Sequence, residues 1–299
     1  MADIITDIKN NFKRGAAYIQ LIYINVGIFL ITAILSVFFL LFNRSIAEGL
    51  QWLELPASVG RFIQQPWTLI TYMFMHADIF HILFNMLWLY WFGSIFMNFF
   101  TNKHLRGLYI LGGICGGLLY MLSYNIFPYF ANAVYTSVMV GASASILAIV
   151  TAAAYREPNY PLGLLFLGTI RLKYLALVVV VMDLLLMTSG NAGGHIAHIG
   201  GALAGLGFAA GLNKGIDLTA WINRTLDWFT ALFSKKQRAN CKRAKMKVNY
   251  SGQNKDYEYN ANKKAQSDKI DRILDKLKKS GYNSLTAEEK KSLFDASKK

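Results

Sequence analysis

Charged residues are scarce along most of this chain. Only 16% of the 299 residues are charged while 54% are hydrophobic, and long stretches between Tyr18 and Asn213 carry almost no Lys, Arg, Asp or Glu. These stretches argue against an ordinary soluble domain, because apolar runs of about 20 residues match the hydrocarbon core of a bilayer. The composition indicates a polytopic membrane protein.

Cysteine is nearly missing as well. Cys115 lies in an apolar segment and Cys241 in the polar C-terminal part, and neither is accompanied by other residues at metal-ligand spacing. Disulfide frameworks and thiolate metal sites both need cysteines in groups. We therefore expect no disulfide, no metal site and no cofactor.

Acidic residues are too few to balance the basic ones, and most of the excess positive charge lies in the C-terminal tail. The net charge is +14, and residues from Lys214 onward hold 21 Lys and Arg against 10 Asp and Glu, which places +11 of that charge in the tail. A basic tail after a last membrane helix is more typical of anionic lipid headgroups at a cytoplasmic face than of nucleic acid. We expect the lipid bilayer as a partner and no nucleic acid.

Six apolar segments are predicted to be membrane helices. No small-residue cleavage pattern follows the first, which is therefore interpreted as a retained span. The fourth has only 15 residues, which is short for a full crossing, so we expect it to be buried with a wet depression at its short side. The predicted spans are residues 18–42, 79–99, 108–127, 141–155, 172–187 and 195–212.

The connections between these segments predict the orientation. The long first connection contains Trp52 and Trp67 and is interrupted by prolines, so it is predicted to lie in the membrane interface. It holds two Lys or Arg, and the other two connections on its side hold none. Lys and Arg are concentrated on the opposite side. The N-terminal lead has three of them, the turn between the second and third segments two, the loop between the fourth and fifth segments three, and the tail 21. Both termini are therefore predicted to be cytoplasmic.

In this orientation four polar side chains converge on the outer part of the membrane. His81 and Asn85 begin the second segment, Ser143 begins the fourth, and His198 lies one turn into the sixth. Polar groups at such depth are costly and usually functional. Taken alone, the small residues around Ser143 would indicate only helix packing.

These four residues have the chemistry of acyl transfer. A neutral histidine can activate a serine, so Ser143 is the candidate nucleophile and His198 the candidate base. His81 and Asn85 share one helix face and could stabilise an oxyanion together with the backbone N–H of Ser143. Small residues on the sixth segment, Gly201 and Gly205, are expected to pack closely against Ala144, Ala148 and Ala152 of the fourth.

Other polar residues nearby leave alternatives open. Asp183 is the one acid in the predicted bundle core, and it could orient His198, but pairing with a backbone or hydroxyl group is the favoured interpretation. His195 is one turn from His198 and is a rival base. His76 near the outer interface is interpreted as a bystander.

Three stretches resemble the rhomboid intramembrane serine proteases: Trp67 to Asn85, Gly141 to Ser143, and Ala197 to Gly201. The resemblance covers residues 18–213 and rests on HxxxN, GxS and AHxGG in that order. It implies a six-helix bundle that hydrolyses peptide bonds in or next to transmembrane helices with a Ser–His dyad. By resemblance, Ser143 is the nucleophile, His198 the base, and His81 and Asn85 the oxyanion stabilisers. The first connection would be membrane-embedded, and the fifth segment a lateral gate.

The sequence departs from the family pattern at three positions. Ala144 follows the nucleophile where glycine is frequent, and Leu147 stands one turn later where an aromatic residue often stacks on the base. Thr68 follows Trp67 where the family commonly has arginine. Ala144 still has a small side chain. Leu147 predicts that the base is held less firmly, and Thr68 removes an anchor of the first loop.

The tail divides into two parts. Residues 214–266 are predicted to be an interfacial helix, with Trp221 and Phe229 on its apolar face, followed by a basic disordered linker. Residues 267–299 are predicted to be a helical module in which Gly281 ends one helix and Thr286 with Glu289 caps the next. The arrangement resembles a short C-terminal module on rhomboids of the Bacteroidetes type, and we expect it to dock on a partner or on the membrane-proximal surface.

The sequence therefore predicts an all-α membrane protein, a six-transmembrane-helix rhomboid-like bundle over residues 18–213 between a cytoplasmic lead (1–17) and a short helical cytoplasmic tail. The predicted function is an intramembrane serine endopeptidase of a bacterial inner membrane, opening to the periplasmic side and acting on transmembrane protein substrates. The alternative is a catalytically silent relative that binds client transmembrane helices. A transporter would need paired broken helices, which the sequence lacks.

Overall fold

A computed structural model describes residues 15–164, 168–233, 269–281 and 284–297, together with Thr6, Asn10 and Phe12. Contacts divide the chain into two units, Met1–Phe233 and Ser234–Lys299. The predicted disordered linker and most of the predicted cytoplasmic lead lie outside the described residues.

The described residues of the first unit include seven main helices. They are α1 (Ala17–Leu41), α2 (Ile79–Phe96), α3 (Asn102–Ile126), α4 (Ser143–Arg156), α5 (Leu172–Leu185), α6 (Ala192–Asn213) and α7 (Ala220–Phe233). Four of them, α1, α2, α3 and α6, are long and apolar enough to cross a membrane, and α4 is a shorter apolar helix. The predicted start of α3 was wrong by six residues, because Thr101 accepts a hydrogen bond from the His104 N–H and caps the helix earlier.

Helix α4 lies at the centre of this unit. Residues 144–154 are all buried, and α2, α3, α5 and α6 pack around them. Glycines allow the close contacts: a side chain at Gly201 would collide with the Ala144 carbonyl, and one at Gly205 with the Ala148 carbonyl. The predicted small-residue packing of the fourth and sixth segments is confirmed.

Glycines on two faces of α3 allow two neighbouring parts of the chain to pack closely against it. Gly112 and Gly116 lie against α4, where a Cβ would approach the Ala148 and Ala144 side chains to 2.5 and 2.7 Å. Gly113 and Gly117 face the connection between α1 and α2. The C-terminal half of α1, in contrast, has mostly exposed apolar side chains.

The first connection is folded throughout. It contains one-turn to two-turn helices at Ala47–Leu50, Val59–Gln64 and Thr68–Thr71, a 3-10 turn at Tyr72–Phe74, and strand β1 (Leu55–Pro56). Strand β1 pairs antiparallel with β2 (Val138–Met139). Trp67 is anchored without a following arginine, since its indole N–H donates to the Trp52 carbonyl at 2.7 Å and the two rings stack.

A hairpin between α4 and α5 was not predicted. Strand β3 (Pro161–Leu164) pairs with β4 (Gly168–Arg171). The sequence there is a short apolar run without alternation, from which a strand cannot be distinguished by periodicity.

The second unit contains helix α8 (269–280) and helix α9 (Ala287–Ser297). Gly281 ends α8 with a φ of +76°, and its N–H donates to the Leu277 carbonyl. The Thr286 N–H donates to Glu289, and the Glu289 N–H donates to the Thr286 hydroxyl. The predicted helix stop and capping box are confirmed.

Candidate active site

Ser143 is the first residue of α4, and its position depends on the glycine two residues before it. Gly141 has a φ of +126°, and its N–H donates to the Tyr72 carbonyl. A Cβ at Gly141 would lie 2.8 Å from the Nε2 of His81 and 3.8 Å from the Oγ of Ser143. Only glycine fits this turn, and the turn brings the serine hydroxyl beside the His81 ring.

The start of α4 supplies free hydrogen-bond donors at the same point. The N–H groups of the first residues of a helix have no carbonyl one turn earlier, so those of Ser143 and Ala144 are available. They also form the positive end of the helix dipole. Ser145 is different, because its side chain is fully buried, and its backbone Cα lies against α3, 3.2 Å from where a Cβ at Gly112 would be.

His198 lies one turn and a half into α6 and contacts an acid. Its Nδ1 is 2.9 Å from the Oδ1 of Asp183, and the Nδ1 of His195 is 2.8 Å from the same oxygen. The Asp183 side chain, in the last turn of α5, is only 6% exposed. The favoured interpretation of Asp183, pairing with a backbone or hydroxyl group, was therefore wrong: within the described part of the chain its partners are the two histidines.

His81 and Asn85 lie on one face of α2, whose start is fixed by Asp78. The Asp78 carboxylate accepts the His81 N–H at 2.9 Å. The His81 Nδ1 accepts the Ala77 N–H in a long contact of 3.5 Å, which leaves Nε2 as the protonated nitrogen of a neutral ring. One Asn85 amide hydrogen goes to the His81 carbonyl, and the other is free to donate.

All four predicted site residues line one cavity of about 630 Å³. Its polar part contains Ser143, His81, Asn85, Asp183, His195 and His198, and its apolar walls come from α2 and α5, including Phe84, Trp88, Val178 and Met182. The cavity lies at the N-terminal end of α4, where the sequence predicts a depression. Among the described residues, no hydrogen bond joins Ser143 to His198.

The comparison with known families decides the family. The Rhomboid domain matches residues 64–214, which is half of the chain. The protein belongs to the rhomboid family. A rhomboid-like relative from Arabidopsis thaliana, "RHOMBOID-like protein 12, mitochondrial", is 30% identical over 157 residues. The aligned part covers 50% of this chain and 47% of the relative, so the chain spans about half the length of that relative. Residues 253–299 match a family of unknown function, DUF6576.

The rhomboid family match and the apolar helices together make this chain a multi-pass membrane protein. Two of its departures from the family pattern can be placed. Leu147 is buried and lines the cavity beside Ser143, where an aliphatic side chain can pack but offers no ring to stack. Thr68 is buried too, and its hydroxyl donates to the Gln65 carbonyl within the first connection.

Sequence reasoning missed one acid of the rhomboid cavity and favoured the wrong partner for a second. Asp78 was overlooked, although an aspartate three residues before His81 at the start of an apolar run is a helix-cap pattern. Asp183 was noticed but given the wrong partner, since its contact with His198 depends on how α5 lies against α6.

A histidine that is not charged lies next to the site, against the ring of His81. His76 is buried in the first connection, and its ring lies edge-on to His81 at 5.1 Å. Burial, with a smaller contribution from His81, lowers the pKa of His76 to about 4. His76 is therefore neutral at physiological pH and adds shape but no charge, in line with its interpretation as a bystander.

One group of residues has the composition of a cation site. Asp183, His195 and His198 each offer a ligand atom, and these atoms lie within 4.8 Å of one another. The distances of 2.8 and 2.9 Å between oxygen and nitrogen are those of charge-assisted hydrogen bonds. Hydrogen bonding alone accounts for the arrangement.

Proposed function

We propose that this rhomboid is an intramembrane serine endopeptidase in which Ser143 is the nucleophile and His198 the general base. The observation that carries the proposal is that Ser143 and His198, from two helices in glycine-mediated contact, line one cavity together with His81 and Asn85. Convergence of a serine, a histidine and several N–H donors in one pocket is the composition that acyl transfer needs.

The first half of the reaction forms an ester. The Oγ of Ser143 attacks the peptide carbonyl carbon while the Nε2 of His198 takes its proton, and the carbonyl electrons move to oxygen. The resulting oxyanion is stabilised by the His81 Nε2–H, the Asn85 amide and the backbone N–H of Ser143. His198 then gives its proton to the amide nitrogen as the C–N bond breaks.

The second half returns the enzyme to its starting state. Water attacks the ester carbon, and His198 accepts a water proton. The tetrahedral intermediate collapses, the bond from carbon to Oγ breaks, and His198 reprotonates Ser143 as the carboxylic acid leaves. The missing hydrogen bond from Ser143 to His198 is compatible with this scheme, because catalytic hydrogen bonds often tighten only when substrate binds.

The substrates in this proposal are single-span membrane proteins. The peptide bond must reach Ser143 in extended form, so helices with small or helix-weakening residues near the outer membrane face are favoured. The apolar cavity walls from α2 and α5 suit a transmembrane segment arriving from the side. In the proposed arrangement six helices cross a bacterial inner membrane, both termini are cytoplasmic, the site opens to the periplasm and the basic tail lies near anionic headgroups.

Cleavage of a model single-span substrate by the detergent-purified protein tests this proposal. We expect Ser143→Ala and His198→Ala to fall to background, while Ser145→Ala, which removes a hydroxyl two residues away, cuts like wild type. Activity should persist in EDTA, since no step uses a metal. If no substrate is cut and a fluorophosphonate probe fails to label Ser143, the alternative function, binding of client transmembrane helices without cleavage, replaces the proposal.

A further inference from the structure

We propose that Asp183 is a positioning residue that orients His198, the base of the proposed Ser–His pair. The inference rests on the proposed function, since it assigns Asp183 a role toward His198 as the base. It concerns an acid that lies fifteen residues before His198 in sequence and on a different helix.

The hydrogen-bond geometry sets the tautomer of His198. An ionised carboxylate can only accept hydrogen bonds, so a ring nitrogen 2.9 Å from the Oδ1 of Asp183 must carry the proton. The proton is thus on Nδ1, and Nε2 remains free to accept the Ser143 proton. This is the function of the aspartate in serine-protease triads.

The location of Asp183 is unfavourable for its own helix. An acid in the last turn of a helix faces the negative end of the dipole, and this one is 94% buried. Its second oxygen, Oδ2, has no hydrogen-bond partner among the described residues. Burial at such a cost is explained if the carboxylate stabilises the imidazolium that forms during the reaction.

Asp183 can also replace the aromatic residue that the family often has at the position of Leu147, where it stacks on the base. A base beside an aliphatic residue has no ring to stack on, so something else must orient it. The Asp183 carboxylate does so with a directional bond, and His195 donates to the same oxygen at 2.8 Å and helps to hold it. The groups facing His198 are Asp183 on α5, His195 on α6, and His81 with Asp78 at the start of α2.

Three variants separate positioning from simple structural support. In Asp183→Asn the amide can donate to Nδ1 and impose the wrong tautomer, so we expect kcat to fall by about 10²- to 10⁴-fold with KM little changed. In Asp183→Ala the imidazolium loses its partner, so the acid limb of the pH–rate profile should move to lower pH. Asp183→Glu keeps the charge and should keep the acid limb near that of wild type.

The experiment measures kcat, KM and the pH profile for these variants, Ser143→Ala and Asp227→Asn, with a thermal unfolding midpoint for each. Asp227→Asn is the matched control, because it removes a half-exposed carboxylate far from the cavity. Should Asp183→Asn not fold, Asp183→Ala and Asp183→Glu are compared by their rates of fluorophosphonate labelling against pH.

Several outcomes overturn the inference. Wild-type kcat in Asp183→Asn, or a loss of kcat with an unmoved acid limb in Asp183→Ala, makes Asp183 structural only. Loss of wild-type activity in EDTA with recovery on adding Zn²⁺ makes the cluster a cation site. If Ser143→Ala also cuts, the proposed function has failed rather than the role of Asp183.

Discussion

Two histidines face aspartates at opposite ends of this helical unit. At the cavity end, His198 is 2.9 Å from Asp183, whose side chain is 6% exposed. At the other end, His104 is 3.8 Å from Asp217, which is 30% exposed and also accepts the N–H and the hydroxyl of Thr219. Asp217 lies three residues before α7 and stabilises the turn that leads into it through Thr219, which explains its presence without His104. Asp183 has only histidines as partners among the described residues, so under the proposed mechanism the same residue pair serves structure at one end and chemistry at the other.

The two ends also differ in how their charges are solvated. Lys103 and Asp227 meet at 2.8 Å, but both side chains are at least half exposed, so water screens their attraction. The acids of the cavity end are bound by helix N–H groups and imidazoles instead. Substitutions at the cavity end should therefore change activity strongly, and matched substitutions at the other end should not.

Apart from substitutions of Ser143, His198 and Asp183, the largest effect is expected for Gly141→Ala. The new Cβ would be held at a φ of +126° and would lie 2.8 Å from the His81 ring, so it must displace the oxyanion donors. We expect kcat to fall on the order of 10³-fold. Gly215→Ala is the control, since Gly215 also has a positive φ but no atom within 4 Å of its Cβ position. Equal activity of the two variants would contradict our account of the turn.

Asn85→Ala should have the next largest effect. Removing one oxyanion donor typically lowers kcat by about 10²- to 10³-fold, and KM should change little. At the opposite end, Asn213 accepts a hydrogen bond from Arg156, and Asn213→Ala should leave kcat unchanged. A KM effect of Asn85→Ala without a kcat effect would indicate that Asn85 binds substrate and does not stabilise the oxyanion.

Gly201→Ala tests the packing that brings α6 to α4. The added methyl group would meet the Ala144 carbonyl, so the helices must separate. We expect a loss of about 1–3 kcal/mol in the free energy of unfolding, measured in detergent, together with lower activity. Gly207→Ala on the same helix has only Leu218, at 4.0 Å, near its Cβ position and should be neutral or slightly stabilising.

The smallest effect is expected for the pair of Lys103 and Asp227. The hydrogen bond from Lys103 lowers the pKa of the Asp227 carboxyl below its usual value of 3.8. The pair therefore stabilises the fold at neutral pH, and its contribution is lost as the pH falls below 3.8. Lys103→Met should lower the unfolding midpoint slightly, and the difference should vanish in high salt. A difference that persists in high salt would indicate lost packing of the lysine stem.

The sequence was sufficient for the parts of the fold that depend on local chemistry. Apolar runs located the helices, Gly281 and the Thr286–Glu289 box gave the helix ends of the second unit, and small residues predicted the contact of α6 with α4. The parts that depend on distant pairing were not predictable. The pairing of β1 with β2 and the contact of Asp183 with His198 both require knowing how separate elements lie against one another.

The pairing of β1 with β2 has a consequence for the serine. Met139 is paired with Leu55, and the Gly141 N–H is held by the Tyr72 carbonyl, so the four residues before Ser143 are fastened to the first connection. Leu55 in turn packs on Gly117 of α3, and Tyr72 donates to the Gly113 carbonyl. Ser143, the proposed nucleophile, is thus fixed on both sides in the chain, by the folded first connection before it and by α4 after it. Cutting that loop with a soluble protease should slow the labelling of Ser143 even if every helix remains intact.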